Sequence, residues 1–110
     1  MASDEQDLRI QQITRRLVEH VRPIKIVLFG SYASGAATAD SDVDLLVILE
    51  SDLRRDRRQE AISRVLRPHR FPMDILAYTP AEVQTCLNKP ASFIRHILET
   101  GKVLYERRPD

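Results

Sequence analysis

Short apolar runs separated by polar segments are the main pattern in this chain. The runs IKIVLF at residues 24–29 and LLVIL at residues 45–49 are too short for buried helices and are rich in β-branched residues, which favours buried strands. The second of these strands is predicted to begin at Asp42, and the segments MDILAY and KVLY resemble strands as well. We therefore predict four strands, at residues 24–29, 42–49, 73–78 and 102–105.

Amphipathic spacing predicts helices around the first two strands. Residues 5–20 carry apolar side chains every four or five positions, with Ser3 or Asp4 available as the amino-terminal cap. Residues 52–67 form a second helix, whose basic segment RRDRR is expected to face solvent. Its inward-facing positions are predicted to be Leu53, Ile62, Val65 and Leu66.

Two further helices are predicted near the carboxyl terminus, at residues 81–88 and 91–100, separated by a Lys-Pro pair. Gly101 is expected to cap the second of them. Its apolar positions have the spacing of a core-facing stripe, although a domain this small could leave some of them for an interface. These positions are Phe93, Ile94, Ile97 and Leu98.

Length and composition limit the classes of protein to consider. The 110 residues are expected to form one domain, residues 1–110, and a net charge of +1 with 5% aromatic residues gives little reason to expect direct nucleic-acid binding. No apolar run approaches the roughly 20 residues that span a membrane, and the acidic amino terminus does not resemble a secretory signal. A cytoplasmic location is the expectation. The single cysteine, Cys86, excludes an internal disulfide.

A Gly-Ser pair, Gly30 and Ser31, lies directly after the first predicted strand, and a brief helical turn over residues 31–35 is expected to follow. Such a turn leaves backbone N–H groups and a hydroxyl without partners, and the start of a helix favours an anion. This indicates a phosphate site, although Gly-Ser turns without a ligand are common. The chain lacks the lysine that ends a P-loop motif.

Two aspartates, Asp42 and Asp44, lie one residue apart where the second predicted strand begins. Period-two alternation places them on the same side of that strand, where their charges repel unless a cation or hydrogen-bond donors offset them. Mg²⁺ prefers one or two carboxylates together with water and substrate phosphates. The alternative is that both aspartates simply begin an edge strand in solvent.

A third carboxylate, Asp74, has a comparable position at the start of the third predicted strand. If that strand lies beside the second one, the three carboxylates converge and could hold two cations for in-line phosphoryl transfer. Asp42 and Asp44 would then bind the metal that carries the nucleotide phosphates. Asp74 would help to bind the second metal and would act as the base for the attacking hydroxyl. A solvated residue at the start of a strand is the alternative reading of Asp74.

The string GSYASGAATADSDVDLLV, which begins at Gly30, resembles the nucleotidyltransferase superfamily of DNA polymerase beta, and most closely its minimal nucleotidyltransferases. The usual pattern of these small domains is G-S-x-A-R-G-x-A-x-x-x-S-D-x-D-L. The segments MDILAY and ILETGKVLYE resemble the family's third-aspartate strand and its usual ending. The matching positions are Gly30, Ser31, Ala33, Gly35, Ala37, Ser41, Asp42, Asp44 and Leu45.

The resemblance implies an α+β fold, a short mixed β-sheet with helices packed on it. It also implies Mg²⁺-dependent transfer of a nucleoside monophosphate, AMP from ATP, to a hydroxyl, with Gly30 and Ser31 holding the triphosphate. Family members of this size often act as antitoxins, so the implied acceptor is a tyrosine of a HEPN-type toxin. This chain has Ser34 where the pattern has arginine. Weaker positive charge there leaves a rival reading, a non-catalytic antitoxin that neutralises its partner by contact alone.

Overall fold

The computed structural model describes residues 4–38, 40–68 and 72–108. Five helices and four strands lie in these ranges, and they confirm the four predicted strands to within two residues at each end. None of the helices in the described ranges is both long enough and apolar enough to cross a membrane. The elements are α1 (Asp4–His20), β1 (Lys25–Phe29), α2 (Ser31–Ser34), β2 (Val43–Ile48), α3 (Arg55–Val65), β3 (Met73–Tyr78), α4 (Pro80–Leu87), α5 (Phe93–Thr100) and β4 (Lys102–Glu106).

The strands form one mixed sheet in the order β3-β2-β1-β4. The central strand β1 is antiparallel to both β2 and β4, whereas β2 is parallel to β3. A parallel pair needs a crossover connection, and α3 supplies it. This topology brings the starts of β2 and β3 to the same edge of the sheet.

Helices cover both faces of the sheet. Alternate residues of β1 and β2 pack against α1 and α3 on one face, and the residues between them pack against α4 and α5 on the other. Because both faces are covered, β2 is an almost unbroken apolar run in which residues 45–49 are all buried. The mixed sheet with helices on both faces confirms the predicted α+β class.

The structure corrects the predicted orientation of the helix around α3. Leu53 lies before the helix and is 51% exposed, and Arg58, within the segment predicted to face solvent, is 4% exposed. Ile62 and Leu66 are buried as predicted, and Val65 is partly buried. The buried face of this helical segment is formed by Arg58, Ile62 and Leu66, so an arginine holds its first position.

Arg58 is buried because its guanidinium group has several partners. It donates hydrogen bonds of 2.8 Å to the carbonyl oxygens of Ala77 and Leu53, and it forms an ion pair of 2.6 Å with Glu82. Glu82 also accepts from the Thr79 amide in the capping box that begins α4. Arg58 therefore joins the end of β3, the segment after β2 and the first turn of α4.

The two ends of α5 are defined by Ser92 and Gly101. The Ser92 hydroxyl accepts from the Arg95 amide, and the Gly101 amide donates to the Ile97 carbonyl at 2.7 Å. Gly101 occupies the predicted cap position, but its φ of −76° is not left-handed. Glycine is required there by space, because a Cβ would lie 2.6 Å from Val27 Cγ1 and 2.8 Å from the Leu28 carbonyl oxygen.

Candidate active site

The three predicted carboxylates lie at one edge of the sheet. Asp44 on β2 is directly paired with Asp74 on the parallel strand β3, and Asp42 comes just before β2 begins. Val43, between Asp42 and Asp44, is fully buried, and its side chain lies on the opposite face. Asp42 and Asp74 are exposed, whereas Asp44 is partly buried. Strand β3, which carries Asp74, therefore lies beside β2, as the convergence of the three carboxylates requires.

The three carboxylates interact electrostatically. Burial raises the pKa of the Asp44 carboxyl above its ordinary value, and the negative charges of Asp74 and Asp42 raise it further. Three like charges near a low-dielectric sheet make a negative potential at this edge that a cation would relieve. Asp44 lies at its centre, because it interacts with both of the other carboxylates.

Gly30 connects β1 to α2 and lies against Asp44. Its backbone angles, φ 73° and ψ −151°, belong to a region that is open almost only to glycine. A Cβ on Gly30 would overlap Asp44 Oδ2 and would lie 3.2 Å from Asp44 Cγ. The glycine therefore permits both the sharp turn and the close approach of the carboxylate to the backbone.

Ser31 begins α2, and among the described residues neither its amide nor its hydroxyl has a hydrogen-bond partner. The amides of Ala33 and Ser34 instead donate to the Gly30 carbonyl oxygen, each at 3.1 Å. The turn therefore has donors available to a ligand beside Asp44. The predicted helical turn after the Gly-Ser pair is present as α2, residues 31–34.

Tyr32, which follows the Gly-Ser pair, is buried and packs in the core shared with α1. Its hydroxyl accepts a hydrogen bond from Arg9 at 3.4 Å. Ser34 is exposed, and its hydroxyl donates to the Ser31 carbonyl at 3.2 Å. Tyr32 therefore anchors α2 to the protein and is not available to a nucleotide.

A pocket of about 370 Å³ lies between α2 and α5, with Gly30 among its lining residues. Phe29 and Ser34 are among its lining residues, and His96 and Thr100 line it from α5. His96 lies three residues after the exposed Phe93 and four residues before Thr100. This spacing places the three side chains on one face of α5.

Phe93 also corrects a prediction, because it is 59% exposed, whereas Ile94 and Ile97 are buried and Leu98 is partly buried. Its ring packs edge-on against Phe29 at 5.7 Å between centroids. Because the Phe29 backbone pairs with Asp44, this aromatic pair adjoins the carboxylate edge.

Fold and site together define a polymerase beta-type nucleotidyltransferase, and comparisons with known proteins agree. Residues 11–110 match the family described as polymerase beta, nucleotidyltransferase. A protein of Methanocaldococcus jannaschii, named as a candidate protein adenylyltransferase, is 35% identical over 83 residues, which cover 74% of this chain and 77% of that protein. The chain belongs to this nucleotidyltransferase family, as its sequence motifs predict.

Solved structures share the fold. A candidate nucleotidyltransferase from Sulfolobus solfataricus superposes with a TM-score of 0.61 at 19% identity, over 91% of this chain and 83% of that one. A toxin–antitoxin structure with AMP-PNP gives a TM-score of 0.63 at 22% identity, over 90% of this chain and 74% of that one. The predicted polymerase beta-like fold is therefore confirmed.

Proposed function

We propose that this protein transfers AMP from ATP to a hydroxyl group of a partner protein and that the transfer depends on divalent metal. The observation that carries the proposal is the pairing of Asp44 with Asp74 in adjacent parallel strands, beside the Gly30 turn. This arrangement places acidic groups suited to a metal next to backbone donors suited to a phosphate.

The carboxylates fit Mg²⁺, and two ions would be held by Asp42, Asp44 and Asp74. The raised pKa of Asp44 reflects repulsion that a cation would remove. In residues 4–38, 40–68 and 72–108, no three His, Cys, Asp or Glu side chains form a ready-made metal site. Mg²⁺ prefers a few carboxylates completed by water and substrate phosphates, so the three aspartates would supply only part of its ligands. Bound Mg²⁺ would neutralise the negative charge that develops during phosphoryl transfer.

The remaining chemistry belongs to the residues of the chain. The Gly30 and Ser31 amides and the Ser31 hydroxyl would hold the triphosphate. The acceptor oxygen forms a bond to the α-phosphorus, the bond from that phosphorus to the bridging oxygen of the β-phosphate breaks, and pyrophosphate leaves. The proton of the acceptor hydroxyl would pass to Asp74, which is exposed at the edge of the sheet and open to a large acceptor.

We further propose that the acceptor is a tyrosine of a HEPN-type toxin and that modification neutralises the toxin. The toxin–antitoxin structure with AMP-PNP supports a partner and a nucleotide of this kind. The name of the Methanocaldococcus jannaschii relative supports a protein as the acceptor of an adenylyl group. The exposed position of the carboxylate edge also suits a macromolecular acceptor.

The test is to incubate the purified protein and its co-purifying partner with MgCl₂ and ATP labelled at the α-phosphate. We expect label on the partner, loss of labelling with excess EDTA, and loss of labelling in Asp44→Asn. Asp52→Asn is the matched control, because Asp52 is exposed after the far end of β2 and should leave labelling unchanged. If Asp44→Asn neutralises the partner as well as wild type and wild type transfers no label, the protein is a binding module.

A further inference from the structure

Asp42 is the one carboxylate of the proposed site that the sheet does not hold. Asp44 pairs with Phe29 on β1 and with Asp74 on β3, so the strands fix the backbone at both of these aspartates. Strand β2 begins only at Val43, and no residue of the described chain donates a hydrogen bond to the exposed Asp42 carboxylate. Contacts outside the sheet must therefore decide where Asp42 lies.

A set of hydrogen bonds between Thr38 and Ser41, the Thr38–Ser41 link, lies directly before Asp42. The Thr38 amide donates to the Ser41 hydroxyl at 2.8 Å, and the Ser41 amide donates to the Thr38 carbonyl at 3.2 Å. The two hydroxyl oxygens lie 3.3 Å apart, and the Asp40 amide donates to the Thr38 hydroxyl at 3.3 Å. These bonds fix Ser41, which is the residue joined directly to Asp42.

The Thr38–Ser41 link is connected to the body of the protein on both sides. Before it, Ala37 packs against the core that lies on the α1 face of the sheet. After it, the Val43 amide donates to the Pro72 carbonyl at 3.0 Å, which holds the start of β2 against the segment before β3. Asp42 is therefore the single residue between the link and the first bond of the sheet.

Electrostatic repulsion acts against this position of Asp42. The negative charge of Asp42 contributes to the raised pKa of the Asp44 carboxyl, so the two groups repel each other. An unrestrained aspartate outside the sheet would move away from Asp44, and metal binding would have to bring it back. A restraint in the bound arrangement reduces that cost, which is the general advantage of preorganisation.

We propose that Ser41, together with Thr38, is a positioning residue that holds Asp42 in place for a divalent metal. The inference rests on one part of the proposed function, the assignment of Asp42 as a metal ligand. Ser41 acts through the backbone of Asp42 and does not itself have to touch metal, nucleotide or acceptor. Loss of its hydroxyl should therefore weaken metal binding and leave the transfer step intact once metal is bound.

The first test measures Mn²⁺ binding to the purified protein, from the loss of the paramagnetic resonance signal of free Mn²⁺. Ser41→Ala is expected to weaken Mn²⁺ binding about tenfold, the lower end of the range for groups that orient metal ligands. Ser41→Thr keeps the hydroxyl and should bind Mn²⁺ as wild type does. Thr38→Val removes only the contacts at 3.3 Å, so it should have a smaller effect and serves as the test if Ser41→Ala does not fold.

Ser51→Ala is the matched control, because Ser51 makes the same kind of bond at the other end of β2. Its hydroxyl accepts from the Leu53 amide at 3.1 Å. The control should show a similar small loss of stability in urea unfolding and an unchanged Mn²⁺ affinity. Equal Mn²⁺ affinities in Ser41→Ala and wild type, equal losses in Ser41→Ala and Ser51→Ala, or no recovery in Ser41→Thr would overturn the inference.

The second test measures the initial rate of AMP labelling of the partner as a function of MgCl₂ concentration. Ser41→Ala should need about tenfold more MgCl₂ for the half-maximal rate and should reach the wild-type rate at saturation. Asp42→Asn, which removes the proposed ligand itself, should stay slow at every concentration. A Ser41→Ala rate that stays low at saturating MgCl₂ would contradict a role limited to positioning.

These outcomes are distinct from failure of the proposed function. If wild type labels its partner and Ser41→Ala has an unchanged MgCl₂ requirement, the function stands and the inference fails. If Ser41→Ala weakens Mn²⁺ binding and Ser51→Ala does not, but wild type labels no acceptor, the inference stands and adenylyl transfer fails. Wild type that binds no Mn²⁺ contradicts both.

Discussion

Replacing Gly30 with alanine tests the link between the turn and the carboxylates most directly. The backbone at Gly30 has φ 73° and ψ −151°, and a residue with a side chain in this region costs roughly 1–3 kcal/mol. The new Cβ would also overlap Asp44 Oδ2, so the carboxylate must rotate or the turn must move. The variant is therefore expected to lose stability and also to displace a proposed metal ligand.

Gly35→Ala is the matched control for the backbone effect. Gly35 also has a positive φ, 83°, and a left-handed alanine costs roughly 1–2 kcal/mol. A Cβ at Gly35 has nothing within 4 Å, so no other group has to move. Both variants should therefore lose stability, Gly30→Ala by more than Gly35→Ala, and only Gly30→Ala should change the site.

The stabilities are measured by urea unfolding, and function is measured as the initial rate of AMP labelling of the partner under conditions where both variants are folded. Gly30→Ala is expected to reduce the labelling rate about 100-fold, the size of effect that a displacement near 1 Å can produce in an active site. Gly35→Ala should stay close to wild type. Equal labelling rates in the two variants would refute the proposed role of the contact between Gly30 and Asp44.

Two further predictions concern charge. Because burial and neighbouring carboxylates raise the pKa of Asp44, the folded protein binds this proton more tightly than the unfolded chain, and ionised Asp44 lowers stability. Asp44→Asn should therefore raise the urea midpoint at pH 7 in the absence of divalent metal. This gain should vanish when the pH falls below 3.8, the ordinary pKa of an aspartate. A lower midpoint for Asp44→Asn than for wild type at pH 7 would contradict this reasoning. Arg58→Met should lower the free energy of unfolding by about 3 kcal/mol, because it leaves Glu82 and two carbonyl groups without their partner. Arg57→Met, at an exposed position, should change it by about 0.5 kcal/mol at most, and equal losses in both variants would refute the role given to Arg58.

The elements of the fold were predictable because their patterns are local. The strands are short apolar runs, and α1 has a regular amphipathic spacing, so neighbouring residues specify each element. The pairing of Asp44 with Asp74 could only be stated as a condition. It depends on which strands become neighbours, and 29 residues separate the two aspartates in the chain. The family resemblance supplied that information where periodicity could not.

The burial of Arg58 and Tyr32 has a shared physical cause, because distant residues supply partners for their polar groups. Arg58 lies in a basic segment, and its burial depends on Glu82 and on carbonyl groups of distant residues. Tyr32 is buried for a similar reason, since its hydroxyl accepts from Arg9 on α1. One local signal did exist for Arg58, because it precedes Ile62 by four residues and Leu66 by eight, as the first member of an inward stripe.

The register between β2 and β3 determines whether Asp44 and Asp74 lie side by side in the proposed site. A slip of one residue would pair Asp74 with Val43 and turn its carboxylate to the opposite face, under α1 and α3. Hydrogen bonds continue the correct register beyond both ends, from the Val43 amide to the Pro72 carbonyl and from the Leu49 amide to the Tyr78 carbonyl, each at 3.0 Å.

Arg58 opposes such a slip from the far end of the same two strands. Its guanidinium binds the Ala77 carbonyl on β3 and the Leu53 carbonyl after β2, so it fixes the positions of both segments relative to α3. A slip would move the Ala77 carbonyl by about 3.3 Å along the strand and break this bond. The buried arginine and the paired aspartates are therefore coupled through the strands. The first holds the register, and the second depends on it for the proposed chemistry.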